Sequence, residues 1–485
     1  MKPITKKTVI HSIIGVLIMI FFRFLPLSLP QVTSMGMAIL GIFIGTVYLW
    51  ITVDPIWSSL FSVCMLVFSN YFSMSDMLVN LLGNSVIMLM IFIMLMSNAL
   101  SKYGITPYLA RFSLTVKLVR GRPYIFAFIM GLIIYLIAAF VGPMAPIFLF
   151  WPVLSEVCKD VGYTKKDKFP KLLIIYVVVC SLLGFPVASY MGNALVLLSN
   201  FQSLTEGTEV AFAVNNAQYI AVALILGLVM MVLMLAVAKF ILRPDVEPFK
   251  KLDFKKFDDD PLPPMTASQK LLSVSFIIML LLMLVPSIVP NAPGMAYLST
   301  LTNGIPLLVA TILCAIPIKG KTIISIQEIL CENFGWGSVF MAASAIILGN
   351  ALTSDSTGIS AMLSQVFFPI LTNLGYIPFI VIFLILMFLL TNVMNSLVVG
   401  LIFEPIVLTY CTLTGADPMP IIMLMVMVCL GTAIITPAAS PFAAILHGNK
   451  EWTETGDIYK YATFFVVIQM IVYIALGIPL AMIIT

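Results

Sequence analysis

Charged residues and histidines are scarce in this sequence. Charged residues make up 9% of the 485 positions, and only two histidines occur. A catalytic metal held by imidazoles needs more histidines than that, and neither the HExxH motif of metalloproteases nor a pair of intramembrane aspartates is present. The formal net charge of +4 is modest and gives no hint of nucleic acid binding. These absences argue against an enzyme and against a nucleic acid partner.

Cysteine motifs, strand alternation and a signal-cleavage site are also missing. The seven cysteines are scattered, none forms a CxxC pair, and nearly all sit in or beside apolar runs. That placement favours small buried hydrophobes over disulfides or a metal site. The short alternating strands that a membrane barrel needs do not occur. The first 30 residues begin like a signal peptide but lack a small-residue cleavage site and contain Arg23, so we interpret them as a retained first span.

The sequence is instead rich in long apolar runs. Hydrophobic residues are 61% of the chain, and many stretches approach the ~20 apolar residues that a helix needs to cross a bilayer. A soluble protein could not bury so much apolar surface, so lipid must be the solvent. The predicted fold class is an all-α polytopic membrane protein, located in the cell (cytoplasmic) membrane.

The placement of lysine and arginine predicts the topology, because these residues mark cytoplasmic loops. None occurs at 172–238, 271–318 or 322–449, and basic clusters separate these stretches. Eleven spans follow, with a cytoplasmic N-terminus and an external C-terminus. The predicted spans lie at about 8–29, 35–53, 56–73, 85–101, 171–200, 217–242, 271–290, 303–318, 336–352, 418–447 and 461–484.

Two further apolar segments do not fit a simple crossing. Residues 123–157 have basic clusters on both flanks, so both ends should be cytoplasmic. Residues 376–413 have no basic residue on either flank, so both ends should be external. Each segment is predicted to be a re-entrant helical hairpin, and the two hairpins enter from opposite faces.

Spans and hairpins group into an inverted repeat, and the family resemblance described below implies that its parts form scaffold and elevator-type transport domains. The predicted parts are N-terminal scaffold helices (1–84), a first transport repeat (85–216, with broken helix 171–200), a span (217–242), a cytoplasmic linker (243–270), second-half scaffold helices (271–335) and a second transport repeat (336–485, with broken helix 418–447).

Matched prolines interrupt the span that follows each hairpin. Pro186-Val-Ala-Ser189 and Pro437-Ala-Ala-Ser440 share the pattern Pro-x-Ala-Ser. A proline frees a backbone carbonyl, and free backbone at mid-membrane is tolerated only where it lines a cavity or is buried in protein. A packing kink would explain one break. Two breaks at corresponding positions of inverted halves favour a transporter whose substrate site lies at the midplane.

At these residues the sequence resembles the divalent anion–sodium symporter family of the ion-transporter superfamily. Pro437–Gly448 is similar to the family's Pro-x-x-Thr-Pro stretch, and Met394-Asn395-Ser396 falls where the second Ser-Asn-Thr hairpin tip belongs. In the first hairpin Val141-Gly142-Pro143 replaces that motif, so its amide and hydroxyl groups are gone. The resemblance implies Na⁺- or H⁺-coupled transport of di- or tricarboxylates, a homodimer, and an elevator motion of the hairpin-bearing domain.

The resemblance also implies binding roles for particular residues. The implied substrate-binding residues are Asn395, Ser396, Ser440, Pro441, Ser189, Asn193, Gly142 and Pro143. The implied Na⁺ ligands are Thr391, Met394, Asn395 and Thr436. No organic cofactor is expected, and Na⁺ is the candidate bound ion. The expected partners are a small anionic substrate, the lipid bilayer and a second copy of the chain.

Glu404 is the acidic residue deep within the second hairpin. An ionised carboxylate at mid-membrane costs ~2.5 kcal/mol or more, so Glu404 either binds a proton or cation, or reaches water at the hairpin's outer end. A binding role would favour the runner-up function, a cation/proton antiporter or inorganic oxyanion permease of the same superfamily. A channel is a third class, but inverted hairpins favour alternating access.

The sequence predicts which substitutions impair transport. A carboxylate carrier should lose most uptake in Asn395→Ala and in Ser440→Ala, because both remove polar contacts to the anion. The same carrier tolerates Glu404→Gln, which should abolish transport by a cation/proton antiporter. Uptake of labelled substrate into vesicles measures all three variants. Normal uptake by both alanine variants would show that the site assignment is wrong.

Overall fold

The structure is a computed structural model of the chain, and helices account for nearly all of its regular elements. It describes residues 6–25, 29–105, 107–108, 117–252, 263–289, 291–318, 320–332, 334–359, 361–362, 365, 374–393, 395–449 and 451–485.

The first half of the chain forms a series of helices up to the central linker. They are α1 (Lys6–Phe21), α2 (Ser34–Thr52), α3 (Pro55–Phe68), α4 (Met74–Leu82), α5 (Ser85–Lys102), α6 (Pro123–Phe140), α7 (Met144–Asp160), α8 (Lys168–Gly184), α9 (Gly192–Thr205) and α10 (Asn216–Val237). A π-helical turn, Ala238–Leu242, extends α10.

The second half repeats this order after a short helix in the linker. Its elements are α11 (Glu247–Lys250), α12 (Ala267–Ile288), α13 (Met295–Leu301), α14 (Ile305–Ala315), β1 (Pro317–Ile318), β2 (Lys321–Thr322), α15 (Ile326–Cys331), α16 (Trp336–Thr353), α17 (Tyr376–Thr391), α18 (Ser396–Thr414), α19 (Pro418–Gly431), α20 (Pro441–Gly448), α21 (Thr455–Val472) and α22 (Ile478–Ile484). The strands β1 and β2 pair as a two-residue antiparallel ribbon.

The helices have the length and composition of membrane helices. Among the described residues, eight helical segments are long and apolar enough to cross a membrane, and shorter apolar helices such as Ile56–Phe68 and Pro418–Gly431 accompany them. The predicted all-α polytopic membrane protein is confirmed. Which helix ends face which side of the membrane remains a prediction.

Polar side chains at the helix starts satisfy free N–H groups. Asp54 accepts from the Ile56 N–H at 2.8 Å, and Pro55 occupies the first helical position of α3. Asn215 accepts from two N–H groups at the start of α10. Side-chain oxygens at these positions replace the backbone acceptors that a helix lacks in its first turn, so they fix where each helix begins.

Both predicted hairpin segments are pairs of helices joined by a short turn. The first pair is α6 and α7, with residues 141–143 between them. Gly142 has φ +106°, a conformation that a residue with a Cβ rarely adopts, which allows the reversal. The second pair is α17 and α18, which meet at residues 392–395.

The helix after each hairpin is interrupted where the prolines predict. The chain leaves α8 at Gly184 and resumes in α9 at Gly192. It leaves α19 at Gly431 and resumes in α20 at Pro441. The second break starts a few residues earlier than its proline. Each half therefore has the order hairpin, half-helix, break, half-helix.

The predicted span at 56–73 differs from the structure. There α3 ends at Phe68, and a separate short helix, α4, follows. Asn70 takes a left-handed φ of +63°, which stops the helix, and the Ser73 hydroxyl caps the start of α4. The predicted span at 303–318 also begins earlier, at Met295, because α13 and α14 are joined by a 3₁₀ turn.

The helices pack into a large core and a smaller cluster. The hairpins and broken helices lie in the large core, where α6 packs on α8, and α18 packs on α9 and α19. Side chains of α2, α3, α4 and α16 form the smaller cluster. Helix α16 falls within the predicted second transport repeat, but it packs with the predicted scaffold helices α2, α3 and α4, and it also contacts α9 and α18. We therefore group α16 with the scaffold helices, and its surface is where the hairpin-bearing helices meet them.

Ion pairs connect segments that the charge pattern predicts on the same side of the membrane. Lys171 at the start of α8 contacts Asp457 at the start of α21 at 2.8 Å. Lys159 at the end of α7 contacts Glu451 at 2.6 Å. These pairs support the predicted topology, because all four residues belong to its cytoplasmic side.

The contact between α6 and α8 gives a stability prediction. A Cβ at Gly184 would overlap the carbonyl oxygen of Tyr135, which is backbone and cannot rotate away. We expect Gly184→Ala to destabilise the protein by ~1–3 kcal/mol through overpacking and to lower its melting temperature in detergent. The control is Gly456→Ala in the first turn of α21, where a Cβ meets nothing within 4 Å. Equal melting temperatures for the two variants would contradict the packing.

Candidate functional site

Five residues predicted to bind substrate line one cavity of about 290 Å³. They lie at the starts of three helices. The five residues are Asn193, Asn395, Ser396, Ser440 and Pro441. The scaffold helix α16 closes the other side with Gly337 and Met341, beside Gly335. Residues that lie more than 200 positions apart in sequence are thus brought to one site, where the second hairpin turn meets both helix breaks.

Capping side chains organise the helix N-termini at this cavity. The Asn395 amide oxygen accepts from the N–H groups of Leu397 at 3.0 Å and Val398 at 3.3 Å. The Ser440 hydroxyl accepts from the Ala443 N–H at 3.1 Å and donates to the Ala433 carbonyl at 2.7 Å. The amide nitrogen of Asn395 is therefore the group left to donate to a ligand.

The cavity has no charged side chain in its lining, and its positive potential comes from the main chain. None of its lining residues is charged. The starts of α9, α18 and α20 border it through Asn193, Ser396 and Pro441. Helix N-termini carry partial positive charge, so three of them around one space suit an anion.

Asn392, which the sequence analysis missed, holds the second break in place. Its amide oxygen accepts from the N–H groups of Ile434 at 3.1 Å and Ile435 at 3.0 Å. Its main-chain carbonyl accepts from the Thr436 hydroxyl at 2.6 Å. The turn of the hairpin and the gap in the helix are therefore one hydrogen-bonded unit. Asparagine is common in turns, so no signal in the sequence distinguished this one.

Of the implied Na⁺ ligands, Thr391 and Thr436 are close to this unit but outside the 290 Å³ cavity, whereas Asn395 lines it. The Thr391 hydroxyl donates to the Cys429 carbonyl at 2.8 Å, and the Thr436 hydroxyl bonds the Asn392 carbonyl. Asn395 caps α18, and Met394 lies outside the described residues. Their oxygens and the carbonyls of the break are the hard ligands that Na⁺ would use, so the Na⁺ site stays a prediction.

The first hairpin turn lines a larger, adjoining cavity of about 870 Å³. Gly142 and Pro143 face it, as does Asn193, which borders both cavities. Ser97 and Asn98 of α5 line the opposite wall. The turn that stands in place of Ser-Asn-Thr thus borders this cavity. It offers main-chain groups rather than polar side chains to a ligand.

Ser189 does not join the other predicted residues. Its hydroxyl is buried and donates to the Asn216 amide oxygen at 2.6 Å, at the start of α10. Neither of the two cavities includes it. The Pro-x-Ala-Ser pattern is therefore used differently in the two breaks, because Ser440 caps a helix at the cavity whereas Ser189 ties its break to a neighbouring helix.

Glu404 is fully buried, so the interpretation in which it reaches water is wrong for this structure. The helix face that carries it packs inward on α9, where Asn200 donates a hydrogen bond to its carboxyl group. It does not line the 290 Å³ cavity. A polar group at full burial requires a partner, and the sequence could not name Asn200 as that partner.

His447 supports the second break from its far end. Its Nε2 bonds the Ile435 carbonyl oxygen at 2.9 Å, and its ring packs edge-on against Tyr459. The carbonyl is one that the break leaves without a helical partner. His447 therefore holds the loop beside the cavity in place through this hydrogen bond.

Paired helical hairpins and broken helices around a cavity bordered by helix N-termini define a secondary transporter fold. The structure is similar to that of the Alcanivorax borkumensis YdaH transporter, with a TM-score of 0.54 and 13% identity over 82% of this chain and 86% of that chain. At this identity the likeness shows the fold alone.

The family follows from a sequence model. Residues 45–399 match the model of the citrate transporter family, CitMHS, which is more than half of the chain. The chain therefore belongs to the citrate transporter family, and the resemblance to the divalent anion–sodium symporters is confirmed, as is the prediction of a transporter rather than an enzyme. No match was found among curated proteins. The second break, with Ser440 and Pro441, lies beyond the matched residues.

The bonds of Asn392 predict a stability effect. Asn392→Ala removes the acceptor of two N–H groups in the break, and each buried group left unpaired costs about 1–3 kcal/mol. We expect a lower melting temperature in detergent than for the wild type. Asn80→Ala is the matched control, because Asn80 lies on α4 and bonds only a carbonyl of its own helix at an exposed position. A melting temperature of Asn392→Ala equal to that of Asn80→Ala would contradict the role.

Proposed function

We propose that the protein is a cation-coupled secondary transporter of small organic anions, with di- and tricarboxylates such as citrate as the substrate class. The observation that carries the proposal is the 290 Å³ cavity with three helix N-termini, polar side chains and no charged lining residue. Membership of the citrate transporter family supports the same substrate class.

The size and chemistry of the cavity fit this class. Its volume of about 290 Å³ is at the lower end of the ~300–1,000 Å³ usual for small-molecule sites. Carboxylates can accept from the Asn395 amide nitrogen, the Ser396 hydroxyl and the N–H groups at the uncapped start of α9. Apolar Phe185 and Phe442 flank these donors and suit the carbon skeleton between carboxylates.

A coupling cation follows from the charge of the substrate. A di- or tricarboxylate brings two or three negative charges to a cavity whose lining has no lysine or arginine. Buried charge is costly unless it is paired, so a cation that binds beside the anion lowers the cost of occupancy. Na⁺ at Thr391, Met394, Asn395 and Thr436 would fill that role. A proton at Glu404, away from the cavity, is the alternative coupling ion.

We further propose an elevator motion in the cytoplasmic membrane, performed by a homodimer. The site lies against α16, so movement of α18 and α20 along α16 would carry it across the membrane. The larger cavity reaches Ser97 and Asn98 near the Lys102 end of α5, which the charge pattern predicts to be cytoplasmic. The conformation is then inward-facing. The exposed apolar faces of α12 and α14 suit lipid or a second copy.

The buried Glu404 favours the second candidate, a cation/proton antiporter or an inorganic oxyanion permease. An essential carboxylate far from any counter-charge is expected in an antiporter. The two candidates differ in their ligands, because an antiporter has no need of a carboxylate anion and an oxyanion permease should prefer sulfate.

Ligand-dependent melting tests the proposed substrate class. The purified protein is heated with citrate, succinate or sulfate, each in Na⁺ and in choline buffer, at two pH values. We expect citrate or succinate to raise the melting temperature in a cation-dependent way, because a ligand at 100 times its Kd stabilises the native state by about 2.7 kcal/mol. Ser440→Ala should lose the shift.

Ser299→Ala is the control variant, since the Ser299 hydroxyl bonds only a carbonyl of its own exposed helix. It should keep the shift. Stabilisation by sulfate alone would favour the oxyanion permease, and no stabilisation by any carboxylate under any cation condition would contradict the proposal.

A further inference from the structure

Two buried polar side chains meet between α9 and α18, away from the anion cavity. Glu404 is 0% exposed and Asn200 is 2% exposed. The Asn200 amide nitrogen donates to Glu404 Oε2. Within the described part of the chain, Glu404 Oε1 and Asn200 Oδ1 have no hydrogen-bond partner. The pair thus has one bond and two unpaired oxygen atoms, all shielded from water.

Among the described residues, the helices around this carboxyl group carry no positive side chain that could balance it. Helices α2, α9, α16, α17 and α19 pack against α18, and none of them contains lysine, arginine or histidine. Apart from Glu404, the titratable side chains on these helices and on α18 are tyrosines and cysteines, and they are Tyr48, Tyr376, Tyr410, Cys411 and Cys429. An unpaired buried carboxylate carries a desolvation penalty of several kcal/mol, and a bound proton removes it.

Asparagine is suited to pair with both forms of a carboxyl group. Its NH₂ group donates to an ionised carboxylate, whereas its carbonyl oxygen accepts the O–H of a protonated carboxyl after the amide turns over. The two orientations of an amide have nearly the same shape. Asn200 can therefore keep one hydrogen bond to Glu404 whether the proton is present or not.

The pair faces the scaffold helix α16. A Cβ on Gly349 of α16 would come within 3.2 Å of Asn200 Oδ1, so the glycine allows this close approach. Leu348 and Leu352 of α16 pack at the same place, beside Leu204 of α9. The pair lies on the surface along which the proposed elevator motion takes place.

The same two helices connect the pair to the anion cavity. Helix α9 runs from Asn193 at the cavity to Asn200, and α18 runs from Ser396 at the cavity to Glu404. At 1.5 Å per residue, these separations are about 10 Å and about 12 Å. The pair is therefore a distinct location that moves together with the cavity.

We propose that Glu404 and Asn200 form a proton-binding site, separate from the anion cavity, at the contact of α9 and α18 with α16. The carboxyl group holds its proton while α16 covers it, as in this structure. When α9 and α18 move along α16, the pair takes up a proton from water on one side of the membrane, holds it while it is covered, and releases it to water on the other side. The ionised carboxylate then keeps its hydrogen bond from Asn200 until it binds the next proton. The movement of the proton across the membrane depends on the proposed transport function. The presence of a bound proton in the covered pair does not.

Infrared spectroscopy of the purified protein tests the proton directly. The difference spectrum of wild type minus Glu404→Gln at pH 7 should contain the C=O stretch of a protonated carboxyl group. Gln is neutral and of similar shape, so the variant should fold. Asn200→Ala should shift the band, because the carboxyl group loses its hydrogen bond.

Glu451→Gln is the control for the infrared measurement. Glu451 is a half-exposed carboxylate paired with Lys159 at 2.6 Å, and its removal should leave the band unchanged. Absence of the band in the wild type at pH 7, or its persistence in Glu404→Gln, would overturn the proposal without reference to transport.

Transport by proteoliposomes tests what the proton does. A pH gradient should stimulate carboxylate uptake by the wild type, and Glu404→Gln should lose this stimulation while it still exchanges substrate across the membrane. Equal stimulation of both proteins would overturn the proton cycle. A wild type that transports no carboxylate but retains the infrared band would contradict the proposed function and leave the proton site standing.

Discussion

The main-chain groups freed at the two helix breaks constrain the rest of the structure. Inside a membrane each free N–H or C=O group must be buried against a partner or face a water-filled space. In the second half, Asn392, Ser440 and His447 satisfy these groups from three directions. The Asn395 amide nitrogen remains as a donor at the cavity, beside the positive ends of α9, α18 and α20. The same requirement that keeps the break stable therefore creates the electropositive, uncharged site.

A site without positive side chains has consequences for transport. Lysine or arginine at the anion would bind it tightly and carry fixed charge through the membrane interior, which is costly. Helix N-termini attract the anion more weakly and leave its charge to be balanced by a cation that travels with it. Binding of the anion and binding of the cation then depend on each other. The buried carboxyl group at Glu404 extends this logic, since it too changes charge only when the helices move.

The sequence predicts the parts of this account that leave a local pattern. Prolines in apolar runs indicate the breaks at 184–192 and 431–441. The family resemblance then implies Asn193, Asn395, Ser396, Ser440 and Pro441, which line one cavity. Contacts between residues that are far apart in sequence cannot be predicted in this way. Asn200 and Glu404 are 204 positions apart, and nothing in either neighbourhood indicates the other. Ser189 shows that a repeated motif need not have the same role in both halves. It lies in the same Pro-x-Ala-Ser pattern as Ser440, but its hydroxyl donates to Asn216.

An experimental structure with bound citrate tests the central claim most directly. The account predicts carboxylate oxygens within hydrogen-bond distance of the Asn395 amide nitrogen and the Ser396 hydroxyl, next to the starts of α9, α18 and α20, with no lysine or arginine in contact. Citrate bound elsewhere, or held by basic side chains, would contradict it.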